Sequence, residues 1–95
     1  MVSMSFSDER FCLEFVIDKL PALIGRAADA AVRLDQDIGV SRRHAELYQQ
    51  QGVLRLRDLN SAHGTSVNEQ VISDVDLAPG DTIYAGLSFL VVKEE

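Results

Sequence analysis

Short stretches in which apolar and polar residues alternate, separated by turn-forming residues, limit the fold of this chain more than any other feature. Alternation places every second side chain on one face of a β-strand, as with Leu87, Phe89 and Val91. No window sustains the three- and four-residue apolar spacing of an amphipathic helix. The pattern predicts strands within residues 11–17, 20–24, 31–34, 44–48, 53–59, 66–72, 82–85 and 87–93. Many short strands joined by turns predict an all-β sandwich or barrel.

One pair of predicted strands has a geometric consequence. The segments 44–48 and 53–59 flank residues 49–52, which end in glycine and are typical of a hairpin turn. The closed end of this hairpin lies at residues 49–52, so its open end holds the residues before 44 and after 59. We therefore expect residues 41–43 to lie near residues 60–62, and two loops rich in polar donors to converge.

Charge limits the ligands that the chain can bind. The net charge is −6, and an acidic protein binds the phosphate backbone of nucleic acids poorly, because Lys and Arg must neutralise it. Four of the nine basic residues nevertheless fall close together, at Arg26, Arg33, Arg42 and Arg43. A local positive site on a negative protein suits one small anion better than a long polyanion. We expect no direct contact with nucleic acid.

The chain also lacks the features of membrane and secreted proteins. No apolar run approaches the length that crosses a bilayer, and residues 1–10 do not resemble a secretory signal. The single cysteine, Cys12, excludes an internal disulfide and is expected to be a small sheet or core residue. We expect a cytoplasmic, or at least intracellular, location and no membrane partner.

Three loop segments carry the residues suited to anion chemistry. They are Gly25-Arg26, then residues 41–44 with the sequence Ser-Arg-Arg-His, then residues 58–68. Serine offers a hydroxyl donor, and arginine offers a planar fork that fits phosphate oxygens. Taken alone, each segment is also compatible with an ordinary surface loop.

The ordered set is more specific than its parts. Gly-Arg, then Ser-Arg-x-His, then Asp-Leu-x-Ser-x-x-Gly-Thr-x-Val-Asn, and finally Gly-Asp-x-Ile, resembles the forkhead-associated domain. The resemblance covers roughly residues 11–93 and implies a single domain, which we assign to residues 1–95. It implies an eleven-stranded β-sandwich of two sheets, with loops at one end that bind a phosphothreonine peptide.

The resemblance also implies roles for individual residues. Arg26 would bond the phosphate, Ser41 would donate its hydroxyl to it, and Arg42 would lie along the phosphate or the peptide backbone. His63 stands where family members commonly have an asparagine that grips the peptide main chain, and an imidazole can also donate and accept. Ala62 lacks the hydroxyl that some members use, which leaves its backbone N–H for the phosphate. Residues expected to support the site structurally are Gly25, His44, Gly64, Thr65 and Asn68.

Two other classes of function compete with this one. An enzyme would need Ser41, His44 and Asp58 to act as nucleophile, base and orienting group, but their spacing is poor for a triad. A metal site at His44, His63 and Asp58 lacks tight ligand spacing. We therefore expect no enzyme activity, no metal and no cofactor. A phosphate-independent interaction or assembly module of the same fold is the alternative to a monomeric domain that binds a threonine-phosphorylated protein or peptide.

Overall fold

The computed structural model describes residues 2–7, 12–17 and 19–94. These residues form eleven strands and contain no helix, so the described part of the chain includes no helical membrane span. In chain order the strands are β1 Val2–Ser7, β2 Cys12–Ile17, β3 Ala22–Gly25, β4 Val32–Arg33, β5 Ala45–Gln50, β6 Val53–Asp58, β7 Thr65–Val67, β8 Gln70–Ile72, β9 Asp74–Asp76, β10 Thr82–Ala85 and β11 Ser88–Glu94.

The strands form two sheets, which confirms the predicted eleven-stranded all-β sandwich. One sheet has six strands in the order β2-β1-β11-β10-β7-β8, and the other has five in the order β4-β3-β5-β6-β9. Alternate side chains of both sheets point inward, because successive residues of a strand face opposite ways. The largest fully buried apolar side chains are Ile24, Val32, Leu47, Leu56, Ile83 and Leu90.

The predicted hairpin is formed by β5 and β6. Their register pairs Ala45 with Asp58 at the open end and Gln50 with Val53 at the closed end. The turn residues Gln51 and Gly52 have φ angles of +53° and +80°, and successive positive φ angles match the twist of a two-residue hairpin. The open end therefore lies where the sequence placed it.

The strands differ from the sequence prediction at three places. Residues 66–72 were predicted as one extended segment, but Asn68 and Glu69 adopt positive φ angles and divide it into β7 and β8. β9 was not predicted, because Asp74 and Asp76 give it little apolar character; it pairs with β6 through Arg55 and Arg57. β1 was also not predicted, and it lies between β2 and β11.

The two faces of β11 also differ from what alternation suggested. Phe89 and Val91 lie on one face of β11, whereas Leu87, which was predicted to share that face, precedes the strand and is 66% exposed. The opposite face is the buried one, since Leu90 is 0% exposed and Val92 is buried. Both faces are apolar in sequence, so the alternation alone did not identify the core face.

Leu87 and Leu90 offer a matched test of this assignment. Leu90→Ala removes a fully buried side chain and should lower the free energy of unfolding by about 2–5 kcal/mol. Leu87→Ala removes a mostly exposed side chain and should change it by less than about 0.5 kcal/mol. Urea unfolding of both variants measures the difference; equal losses would contradict the burial of Leu90.

Candidate functional site

Three loops leave the sandwich at the same end. Ala45, the first residue of β5, pairs with Ile24 near the end of β3 and with Asp58 at the end of β6. The loops after β3, before β5 and after β6 are therefore neighbours. The N–H of Ala62 donates a hydrogen bond of 3.0 Å to Ser41 Oγ, which confirms the convergence predicted from the hairpin.

Gly25 allows two of these loops to touch through their backbones. The N–H of Arg26 donates to the carbonyl of Ser41, and the N–H of Ala27 donates to the carbonyl of Arg42. A Cβ atom on Gly25 would lie 2.1 Å from the Arg42 carbonyl oxygen. Only glycine fits here, so Gly25 fixes the position of Arg26 relative to Ser41.

His44 connects the second loop to the third. The side chain is 0% exposed, and Nδ1 accepts the N–H of Ser41 at 3.0 Å. A neutral imidazole that accepts at one nitrogen carries its proton on the other. Nε2 therefore donates to the carbonyl of Gly64, at 2.9 Å. His44 thus holds together the loops that contain Ser41 and residues 60–64.

Asp58 organises the third loop from within. Its carboxylate accepts the N–H and the hydroxyl of Ser61 and the hydroxyl of Thr65. Burial tends to raise the pKa of Asp58, but the hydrogen bonds from Ser61 and Thr65 outweigh burial and lower the pKa below its ordinary value. The loop is therefore fixed by an ionised carboxylate.

The loop that leads to Ser41 is anchored by a buried carboxylate that no motif in the sequence indicated. Asp37 is buried, and its Oδ1 accepts the N–H of Gly39 at 2.9 Å. Its Oδ2 accepts the N–H of Leu87 at 2.9 Å and the hydroxyl of Ser88. The loop before β5 is thereby held against the turn between β10 and β11.

Arg26 carries an unsatisfied donor. Within the described residues, its Nε is buried and has no hydrogen-bond partner. A buried donor without a partner costs about 1–3 kcal/mol, so such a group is a candidate for ligand binding. Arg26 lines an open depression of about 430 Å³ together with Ala28, Arg33, Asp35 and Arg42. Three arginines and one aspartate line the depression, so its charge favours an anion.

The hydroxyl of Ser41 can donate a hydrogen bond to a ligand. Because Oγ already accepts the N–H of Ala62, its own proton remains available for another acceptor. The same bond occupies the Ala62 N–H that we expected to be available for the phosphate. Ala62 therefore positions Ser41 in this structure, while His63 is exposed beside it on the same loop.

Asn68 does not lie with the other predicted site residues. It follows β7, whereas the site loop precedes β7 at Thr65. Its side chain bonds the Asp81 carboxylate and the Thr82 N–H, at the start of β10. The prediction that Asn68 supports the site is therefore corrected, since its partners belong to the opposite end of β7.

The geometry does not favour catalysis. His44 bonds the backbone N–H of Ser41 and not its hydroxyl, and its other nitrogen is occupied by the Gly64 carbonyl, so it cannot act as a base on Ser41. Among the described residues, no group of three His, Cys, Asp or Glu side chains could hold a metal ion.

The sequence contained a signal for the role of Asp58 in fixing its loop, although that role was not predicted. Asp58 followed by Ser61 fits the local side-chain-to-backbone bonding by which Asp fixes turns. Arg33 was part of the basic cluster, but no spacing rule placed it in the depression, because the parallel pairing of β3 with β4 brings it there.

The two histidines of the chain provide a test of the scaffold. His44→Ala leaves the Ser41 N–H and the Gly64 carbonyl without their partner, and should lower stability by about 2 kcal/mol or more. His63→Ala changes an exposed side chain and should alter stability by less than about 0.5 kcal/mol. Thermal unfolding of both variants measures this, and an unchanged Tm for His44→Ala would contradict the assigned role.

Asp58 predicts a dependence of stability on pH. Since its pKa is lowered in the folded state, its contribution is complete above the ordinary pKa of 3.8 and is lost as the pH falls through the folded-state pKa. The stability difference between the wild type and Asp58→Asn should therefore be large at pH 6 and shrink below pH of about 4. Urea unfolding across this range tests it; a constant difference would exclude the ionised carboxylate as its source.

Sequence relatives share most of this chain. It is 46% identical over 71 residues to the FHA domain-containing protein FhaA of Mycobacterium tuberculosis, covering 75% of this chain and 13% of that protein. It is 38% identical over 77 residues to the glycogen accumulation regulator GarA of Mycolicibacterium smegmatis, covering 81% of this chain and 48% of GarA. It is 36% identical over 80 residues to the oxoglutarate dehydrogenase inhibitor of Corynebacterium diphtheriae, covering 84% of this chain and 55% of that protein. The chain thus spans about half, or less, of each relative.

Solved structures agree in fold. A structure from a study of phosphothreonine-dependent FHA domain interactions has a TM-score of 0.89 and 37% identity, covering 99% of this chain and 96% of the other. The FhaA FHA domain, solved in complex with the intracellular domain of Rv3910, has a TM-score of 0.88 and 38% identity, covering 98% and 100%. The sequence model of the FHA domain matches residues 22–86. The chain therefore belongs to the forkhead-associated domain family.

Proposed function

We propose that this chain is a phosphothreonine-peptide-binding module that mediates phosphorylation-dependent protein–protein interaction, and that it is not an enzyme. The position of Arg26 carries the proposal: the residue lines a depression together with Arg33 and Arg42, and its guanidinium has a buried Nε without a partner among the described residues. A ligand phosphate supplies what this group lacks, because it bears a charge of about −2 and three strong acceptor oxygens.

Arg26, Ser41 and Arg42 form the proposed phosphate site. Arg26 and Arg42 line the same depression, and the Ser41 hydroxyl has a proton free to donate. Hydrogen bonds between guanidinium and phosphate are roughly twice as strong as those between neutral groups. In this proposal His63 contacts the peptide main chain beside the phosphate. Ala62 contributes by positioning the Ser41 hydroxyl.

The three loops are bonded to one another through residues of the chain itself, which favours tight binding. Gly25, His44 and Asp58 fix the three loops through buried or half-buried contacts. Binding then requires little ordering of the backbone, and the entropy cost of association is correspondingly small. The FhaA FHA domain was solved in complex with an intracellular protein domain, which supports a protein partner for this chain as well.

The threonines of this sequence are poor candidates for the ligand. Thr65 is buried, and its hydroxyl donates to Asp58. Thr82 begins β10, and its N–H donates to Asn68, away from the site loops. We propose that the phosphothreonine is supplied from outside this sequence.

Calorimetric titration with matched peptides tests the proposal. A phosphothreonine peptide should bind, its phosphoserine counterpart should bind more weakly, and the unphosphorylated peptide should not bind measurably. Arg26→Ala should lower the affinity tenfold or more, because a hydrogen bond to a charged group contributes about 1.5–3 kcal/mol. Ser41→Ala should have a smaller effect.

Arg43→Ala is the control for these variants. Arg43 is exposed and lies 3.7 Å from Asp29, outside the depression, so its loss should leave the affinity nearly unchanged. Equal binding of phosphorylated and unphosphorylated peptides would instead favour the phosphate-independent module. Wild-type affinity in Arg26→Ala would show that the phosphate site is elsewhere.

A further inference from the structure

The depression contains a positive charge that the phosphate site does not use. Arg33 lines it together with Arg26 and Arg42, but it belongs to a strand and not to the loops that hold the phosphate donors. In the parallel pair of β3 and β4, Arg33 is the partner of Gly25, which directly precedes Arg26. The backbone of Arg33 is therefore adjacent to the phosphate site.

The position of Arg33 is fixed by its neighbours. Val32 is buried in the core, so the alternation of the strand turns the Arg33 side chain outward. The next residue, Leu34, is also buried, and its N–H donates to the Gly25 carbonyl at 2.9 Å. The backbone on both sides of Arg33 is thus held, while its side chain is 50% exposed and accessible to a ligand.

The intramolecular partner of Arg33 is weak. The closest carboxylate oxygen, on Asp35, lies 3.9 Å from its guanidinium, and both side chains are about half exposed. Such surface pairs contribute little, about 0–1 kcal/mol. A ligand carboxylate or phosphate can therefore replace Asp35 at little cost, and a guanidinium binds either group through two parallel hydrogen bonds.

We propose that Arg33 binds a second anionic group of the same peptide, so that the domain prefers phosphothreonine sites flanked by a carboxylate or by a second phosphate. This inference rests on the proposed function and deepens it. Neighbouring strands lie about 4.8 Å apart and consecutive Cα atoms about 3.8 Å apart, so the two arginines are rooted less than about 9 Å from each other. An extended peptide spans that distance in two or three residues, which places the second anion within three positions of the phosphothreonine.

The test uses one set of peptides and two matched variants. The parent peptide has a single phosphothreonine with alanine at the three positions on each side. Its derivatives carry one aspartate, or one phosphoserine, at each of those positions in turn. Arg33→Gln removes the charge and keeps most of the side-chain stem, and Arg43→Gln does the same at an exposed arginine outside the depression.

We expect the wild-type domain to bind at least one aspartate or phosphoserine derivative about fivefold to tenfold more tightly than the parent peptide. Arg33→Gln should bind the parent peptide and every derivative with the same affinity, while Arg43→Gln should keep the wild-type preference. A preference limited to phosphoserine derivatives would identify the second group as a phosphate, and one seen with aspartate would identify it as a carboxylate site.

Two results would overturn the inference and leave the proposed function intact. One is that the wild type binds the parent and every derivative equally; the other is that Arg33→Gln keeps the full preference. Failure of the wild type to bind any phosphothreonine peptide would overturn the proposed function as well. The two failures are distinguishable because the parent peptide reports on the phosphate site alone.

Discussion

The two hydrogen bonds of the His44 imidazole are the contacts on which the binding end of this sandwich depends. A buried ring that accepts from Ser41 and donates to Gly64 fixes two loops that are about twenty residues apart in sequence. The neutral ring serves both bonds, so no charge is buried. The first bond fixes the backbone of Ser41, and the second fixes the loop that carries Ala62 and His63. Ala62 in turn orients the Ser41 hydroxyl, so the proposed phosphate donor Ser41 depends on the buried His44.

The same end of the molecule combines hydrogen-bonded loops with an unpartnered hydrogen-bond donor. The chain carries a net charge of −6, yet three arginines face one carboxylate in the depression. The buried Nε of Arg26 lacks a partner among the described residues, and such a donor lowers the stability of the free domain by about 1–3 kcal/mol. In the proposed function, a bound phosphate supplies the missing acceptor. The free energy that the unpartnered donor removes from the stability of the fold is then regained on binding.

The sequence predicted those parts of the fold that a single local signal determines. The turn ending in Gly52 set the hairpin and therefore the meeting of the loops. β9 was missed because Asp74 and Asp76 give no apolar alternation; these residues pair with Arg55 across the sheet, which only the fold reveals. β11 is apolar on both faces, so the choice between Leu87 and Leu90 depends on the opposite sheet. Asn68 matched a family pattern, but its partner Asp81 lies beyond the far end of β7.

The site shows the same division between local and long-range information. Arg26, Ser41 and His44 could be predicted because each belongs to a short motif whose order and spacing are visible in the chain. Arg33 could not be assigned, because the parallel pairing of β3 and β4 places it beside Gly25. The residues that support the site and the residue that only strand pairing places there also differ in how freely they can be replaced. Gly25 and His44 support buried contacts, and their replacement disturbs the loops. Arg33 extends from the edge strand β4 with a half-exposed side chain, so its charge can vary without loss of the fold. A domain of this architecture can therefore retain phosphate binding while the preference for flanking charge changes at this single position.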